Sequence, residues 1–142
     1  MSSRVLKVVV TGASGETGLI LSHMVSKGDV FGLDQWMDLV LVEHSAKLKQ
    51  VKLGCLPEVM TCSPRLVRKY SCTSNMDEAF TDADVIFLAS GTPPSHGLSR
   101  NDIIGTNALE YRKRYLVGTK ALEYRVRSSY RPNFIIFENN YL

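Results

Sequence analysis

The chain has 142 residues, 44% of them apolar, and a formal net charge of +3, the size and composition of one domain with a real core. So weak a charge, with no recognition motif beside it, excludes nucleic acid as the expected partner; Arg112, Lys113, Arg114, Arg125, Arg127 and Arg131 read as a solvated helix face. No signal-peptide pattern and no bilayer-length apolar run occurs, and three cysteines without a C-x-x-C pair read as reduced thiols, so no membrane, disulfide or metal role is expected and the expected location is cytoplasmic.

Arg4 to Val10 reads as the first strand, its near-continuous apolar run suiting burial on both faces. A glycine-studded turn, Thr11-Gly12-Ala13-Ser14-Gly15-Glu16-Thr17-Gly18, follows. Leu19 to Ser26 reads as the first helix, with Leu19, Ile20, Met24 and Val25 toward the core and Gly28 as its C-terminal cap. A turn-rich connection leads to the second strand, Asp38 to Val42, which ends at Glu43. Ser45 to Val51 reads as helical with Lys47, Lys49 and Lys52 on its polar side, and Gly54 and Pro57 are expected to break it.

Leu66 to Ser71 fits a third strand. Asn75 to Phe80 fits a short helix, with Asn75 as N-cap and Glu78 at the capping-box position. Asp84 to Ala89 is the fourth strand. Ser90 to Ser99 is then a loop carrying Gly91, Pro93, Pro94 and Gly97; its lone His96 reads as solvent-facing. Ser99 caps a long helix, with Ile103, Ile104, Asn107, Ala108 and Tyr111 on one side. Helix continues from Tyr115 to Arg127 with a break at Gly118, Pro132 ends it, and Phe134 to Phe137 is a fifth strand. Strand and helix alternate throughout, which predicts an α/β fold: a doubly wound, Rossmann-like parallel sheet of about five strands, one domain over residues 1–142.

Two places in that order point to chemistry. Gly12 can take a positive φ for the tight turn off the strand. Gly15, without a Cβ, lets a pyrophosphate approach the backbone, and Gly18 lets the helix pack on the strand; the helix N-terminus adds N–H groups and a positive dipole end. The alternative is a βα turn whose glycines serve packing alone. Glu43, at the tip of the second strand, can accept hydrogen bonds from an adenosine ribose and would repel a 2′-phosphate, which favours NAD over NADP. The loop after the fourth strand lies where open α/β sheets bind ligands.

Three blocks carry a resemblance: VVVTGASGETG at Val8–Gly18, KGDVFGLDQWMDLVLVEH at Lys27–His44, and DEAFTDADVIFLASGTPPSHGLSRNDIIGTNA at Asp77–Ala108. Through them the chain resembles the NAD-binding domain of cytosolic-type malate dehydrogenases, of the lactate/malate dehydrogenase family. The resemblance implies NAD as cofactor, with Gly12, Gly15, Glu16 and Thr17 lining its pyrophosphate. Glu43 would take the ribose role the family usually gives to aspartate. Gly91 would lie under the cofactor, Asn107 would touch it, and Asn139 would orient substrate and nicotinamide. Arg100 matches an arginine that holds substrate carboxylates.

The departures are as informative. Pro94 and Ser95 stand where the family's mobile loop has a pair of arginines, and neither can form a bidentate carboxylate clamp. Glu138-Asn139-Asn140 replaces a glycine-asparagine-proline. Gly54 and Pro57 fall in the helix that helps form the family's dimer interface. The family's catalytic histidine, its orienting aspartate and a further substrate arginine lie beyond the fifth strand, so no catalytic residue is assigned here. The expectation is therefore an NAD-binding domain not competent for catalysis as this chain alone. A non-catalytic interaction module of a larger assembly is the alternative. A short-chain reductase ranks third, since Tyr111 and Tyr115 are followed four places on by Tyr115 and Thr119, not lysine. A sheet face that a second domain would cover also predicts association with a protein partner or with itself.

Overall fold

The structure, a computed structural model, describes residues 4–62, 65–90, 97, 99, 101–102 and 134–136. Strand β1 spans Leu6–Thr11, helix α1 Glu16–Lys27 and strand β2 Met37–Val42. One helical run, α2, then covers residues 45–62. It passes from a 3-10 turn (Ser45–Lys47) through an α turn (Leu48–Gln50) and a π turn (Val51–Cys55) into a closing α segment (Leu56–Cys62). Strand β3 (Val67–Thr73), helix α3 (Met76–Phe80), strand β4 (Val85–Leu88) and strand β5 (Phe134–Ile136) complete the described elements.

All strand pairs are parallel and the sheet order is β3-β2-β1-β4-β5. Strands β1, β2 and β4 hold because they carry apolar residues on both sides: Val8, Val10, Leu39, Leu41 and Phe87 pack against α1 and α2, through Leu21, Val25, Val51, Cys55 and Val59. Val9, Val40, Val42, Ile86 and Leu88 pack on the opposite face against Ala79, Phe80 and Ala83. The first two crossovers thus lie on one face and the third on the other. This is the doubly wound arrangement expected from the sequence, and its direction reverses between β1 and β4.

Several boundaries are closed as the residue types predict. Gly28 caps α1 in the left-handed region at φ 90°, its N–H donating to the Met24 and Val25 carbonyls. The Asn75 side chain accepts from the Asp77 and Glu78 N–H groups, but the Asn75 N–H donates to the Thr73 hydroxyl, so Glu78 does not complete a capping box. Ser99 does form one: its hydroxyl accepts from the Asp102 N–H, while its own N–H and hydroxyl donate to the Asp102 carboxylate.

Two further expectations are corrected. The buried stripe of α1 is Gly18, Leu21, Ser22, Val25 and Ser26, while Ile20 and Met24 are exposed. Serine can line that stripe because the Ser22 and Ser26 hydroxyls each donate to the carbonyl four residues back, 2.7 Å away, so neither O–H is left unpaired. Gly54 and Pro57 do not break α2. A proline has no N–H to give, and its ring crowds the carbonyl four residues back. The chain widens just before it, with the Leu56 N–H reaching five residues back to Val51, and the helix continues. Val51, Cys55 and Val59 stay on the sheet side. Burial pushes the Cys55 thiol up, as befits an inert core thiol. Among the described residues no helix is long and apolar enough to cross a membrane.

Candidate functional site

The crevice begins where β1 parts from β4. The two pair through Val10 and Phe87, whereas β1 stays with β2 one residue further, through Thr11 and Val42. The buried Thr11 hydroxyl takes over at the parting. It donates to the Phe87 carbonyl and accepts from the Ala89 and Ser90 N–H groups, at 3.1 and 3.3 Å.

Above this floor sits the glycine turn, and its three glycines are constrained differently. Gly12 has φ 67°, and a Cβ there would come within 2.7 Å of the Ser90 nitrogen and 2.8 Å of the Ala89 carbonyl. It is a glycine because the ends of β1 and β4 pass that closely. At Gly18 a Cβ would run into the Gly12 carbonyl; helix α1 rests on the turn's own backbone there, rather than on the strand as the sequence suggested. Gly15 differs from both. Its backbone is ordinary and extended (φ −82°, ψ 161°), and the one atom near a Cβ would be the Gly12 oxygen, at 3.4 Å. Nothing inside the described protein requires glycine at 15. As N-cap of α1, Gly15 also has no side chain with which to satisfy the first-turn N–H groups. Glu16, exposed, and Thr17, half-buried, form that turn.

Glu43 reaches the turn from the tip of β2. Its Oε2 accepts from both the Ser14 N–H (3.0 Å) and the Ser14 hydroxyl (2.6 Å), and its Oε1 accepts from the His44 N–H (2.9 Å). The Ala13 N–H donates to the Val42 carbonyl beside it. Partial burial pushes the Glu43 carboxyl up. The Ser14 hydroxyl, the His44 and Ser14 N–H groups and the charge of Lys47 outweigh that and hold it below its ordinary 4.5. A carboxyl whose folded pKa lies below its unfolded value stabilises the fold above that unfolded value, and the contribution is lost as pH falls through the folded pKa. Urea midpoints measured between about pH 6 and pH 3 should therefore fall less steeply in Glu43→Gln than in the wild type. Equal slopes would show that Glu43 does not report on folding.

The structure thus brings together Gly12, Gly15, Glu16, Thr17 and Glu43 around one crevice. Gly91, Arg100, Asn107 and Asn139 lie outside the described residues, as do Pro94, Ser95, His96 and Glu138. Sequence reasoning passed over Thr11 and Ser14. A hydroxyl closing a run of valines, and a serine between two loop glycines, were the available signals.

The chain is similar to known proteins. The NAD-binding domain of lactate/malate dehydrogenases matches residues 6–112. The cytoplasmic malate dehydrogenase of Echinococcus granulosus is 32% identical over 109 residues, which is 77% of this chain and 32% of that protein. The chain accordingly spans about a third of the length of the curated relatives it matches. A malate dehydrogenase structure from Naegleria fowleri shares the fold at a TM-score of 0.73 and 24% identity, over 80% of this chain and 35% of that one. The lactate dehydrogenase of Trichomonas vaginalis in complex with NADH and oxamate aligns at a TM-score of 0.68 and 25% identity, over 93% of this chain and 37% of that one. With the family match running from the first residue of β1 through β4 and beyond, the chain belongs to the lactate/malate dehydrogenase family, by that family's NAD-binding domain.

Proposed function

We propose that this chain binds NAD(H) at the mouth of the β1–β4 crevice and, as this chain alone, does not reduce a keto acid. The pyrophosphate lies over the Gly12–Gly18 turn and the N-terminus of α1, and the adenosine ribose lies against Glu43. Gly15 carries this reading. Gly12 and Gly18 answer to packing, so they suit a structural turn equally well. Gly15 has room for a Cβ on the protein side, and a serine or asparagine would serve its N-cap position at least as well, so the close approach of a ligand from outside supplies the reason for glycine there.

Each described residue has a task in that reading. The first-turn N–H groups and dipole of α1 offset pyrophosphate charge, Gly15 clears the approach, and the Glu43 carboxylate receives ribose hydroxyls. Bound there, the nicotinamide would supply hydride chemistry. The sequence speaks against turnover by this chain itself: Pro94 and Ser95 replace the arginine pair that the resemblance would require for a substrate clamp. A cytoplasmic location belongs to the same proposal, supported by the names of the curated relatives.

Titration of the purified chain with NADH, followed by nicotinamide fluorescence, tests the proposal. Saturable binding in the micromolar range is expected, with NADPH weaker. No binding up to millimolar nucleotide would overturn it and leave a structural relative whose glycine turn serves packing.

A further inference from the structure

Glu43 has a partner that no motif assigns. Its carboxylate receives three hydrogen bonds from the protein, two of them from Ser14, across a sequence separation of 29 residues. The Ser14 hydroxyl bond, at 2.6 Å, is the shortest of the three, in the range of a charge-assisted O–H···O⁻ contact. The other two donors are backbone N–H groups, so Ser14 Oγ is the one donor among them that a side-chain substitution removes cleanly. Geometry makes this contact consequential. Ser14 lies inside the turn that would carry the pyrophosphate, and Glu43 lies where the ribose would be met. Their bond therefore fixes the anionic β2 tip relative to the phosphate cradle.

We propose that Ser14 is the positioning residue that sets nucleotide selectivity, by clamping the Glu43 carboxylate where it accepts a free ribose 2′-hydroxyl and opposes a 2′-phosphate. This rests on the cofactor reading above. A carboxylate released from the clamp turns on its own side-chain bonds. It then meets a 2′-hydroxyl less well and can swing away from a 2′-phosphate. The same hydroxyl helps to hold the Glu43 carboxyl below its ordinary value, so the titration of Glu43 reports on the clamp. Loss of Ser14 Oγ should thus weaken NADH binding and strengthen NADPH binding relative to it, whereas a merely structural role would shift both nucleotides alike.

The test uses the full chain as wild type, Ser14→Ala and Ser14→Thr, each titrated with NADH and with NADPH and each followed by NMR at the Glu43 side-chain carboxyl during acid titration without nucleotide. The ratio of NADPH to NADH dissociation constants should fall about tenfold or more in Ser14→Ala, the size expected for losing one hydrogen bond to a charged group. Ser14→Thr, which keeps a hydroxyl, should restore it. The Glu43 titration midpoint should rise in Ser14→Ala and return in Ser14→Thr. An unchanged ratio in a Ser14→Ala chain that still binds NADH overturns the proposal and leaves the cofactor reading intact. A wild type that binds neither nucleotide overturns the cofactor reading and this proposal with it, whatever the NMR midpoint shows.

Discussion

Gly18→Ala should unfold this chain more readily than any other single-methyl change in the glycine turn except one at Gly12. Replacing a mid-helix glycine by alanine ordinarily favours a helix by about 1 kcal/mol. Here the sign reverses, because the new Cβ would overlap the Gly12 carbonyl and sit 2.7 Å from its carbon and 3.1 Å from the Ala13 Cα. These atoms are backbone, with no flexible end to swing aside. Gly12 has little room to retreat, since the space beside its Cα is bounded by the Ala89 and Ser90 backbone, which a Cβ there would meet at 2.7–2.8 Å. The expected loss is about 3 kcal/mol or more, in the upper range for overpacking, which lowers the melting temperature by about 10 °C in a domain of this size. Circular dichroism melts measure it. A melting point within a degree or two of wild type would show that the turn can yield as a unit.

Gly15→Val should do the opposite, abolishing binding while sparing the fold. The extended backbone at 15 is one that β-branched residues adopt readily, and the nearest atom to a Cβ is the Gly12 oxygen, at 3.4 Å. The one structural debit is the exchange of glycine for a poor N-cap, about 1 kcal/mol or less. The isopropyl group, however, would stand where the pyrophosphate has to meet the backbone. A loss of NADH affinity of about a hundredfold or more is expected, equivalent to about 2.7 kcal/mol, with a melting point only a few degrees lower. Undiminished NADH binding by Gly15→Val would place the nucleotide elsewhere than on this turn. The two variants change glycines of one motif, three residues apart, and their different outcomes separate its packing role from its recognition role.

The strands were legible because Val8-Val9-Val10, Leu39-Val40-Leu41-Val42 and Val85-Ile86-Phe87-Leu88 are buried on both faces, and a short continuous apolar run between turns suits a strand covered on both sides. Gly28 and Asn75 were legible because left-handed caps and side-chain caps demand particular residues. The inner face of α1 was hidden, since Ser22 and Ser26 bury hydroxyls that local carbonyls satisfy, a compensation that hydrophobic periodicity does not register. The continuity of α2 through Pro57 was hidden for a related reason: the widened turn before it is an adjustment of hydrogen-bond span, with no residue type of its own. The positions of the glycine turn after β1 and of Glu43 at the β2 tip could be read from spacing, but the bond joining Ser14 to Glu43 depends on the β1–α1–β2 crossover bringing the turn and the β2 tip together.

Thr11 gives the crevice a property that no ligand has to provide. In an open parallel sheet the gap between diverging strands resembles an unfastened seam, free to travel down the ladder until something stops it. Here one hydroxyl, joined to Phe87, Ala89 and Ser90, is a rivet at the last stitch. The seam opens above it and holds below it. The last rung at which β1 and β4 are held together is therefore written into the chain as the reach of one threonine side chain.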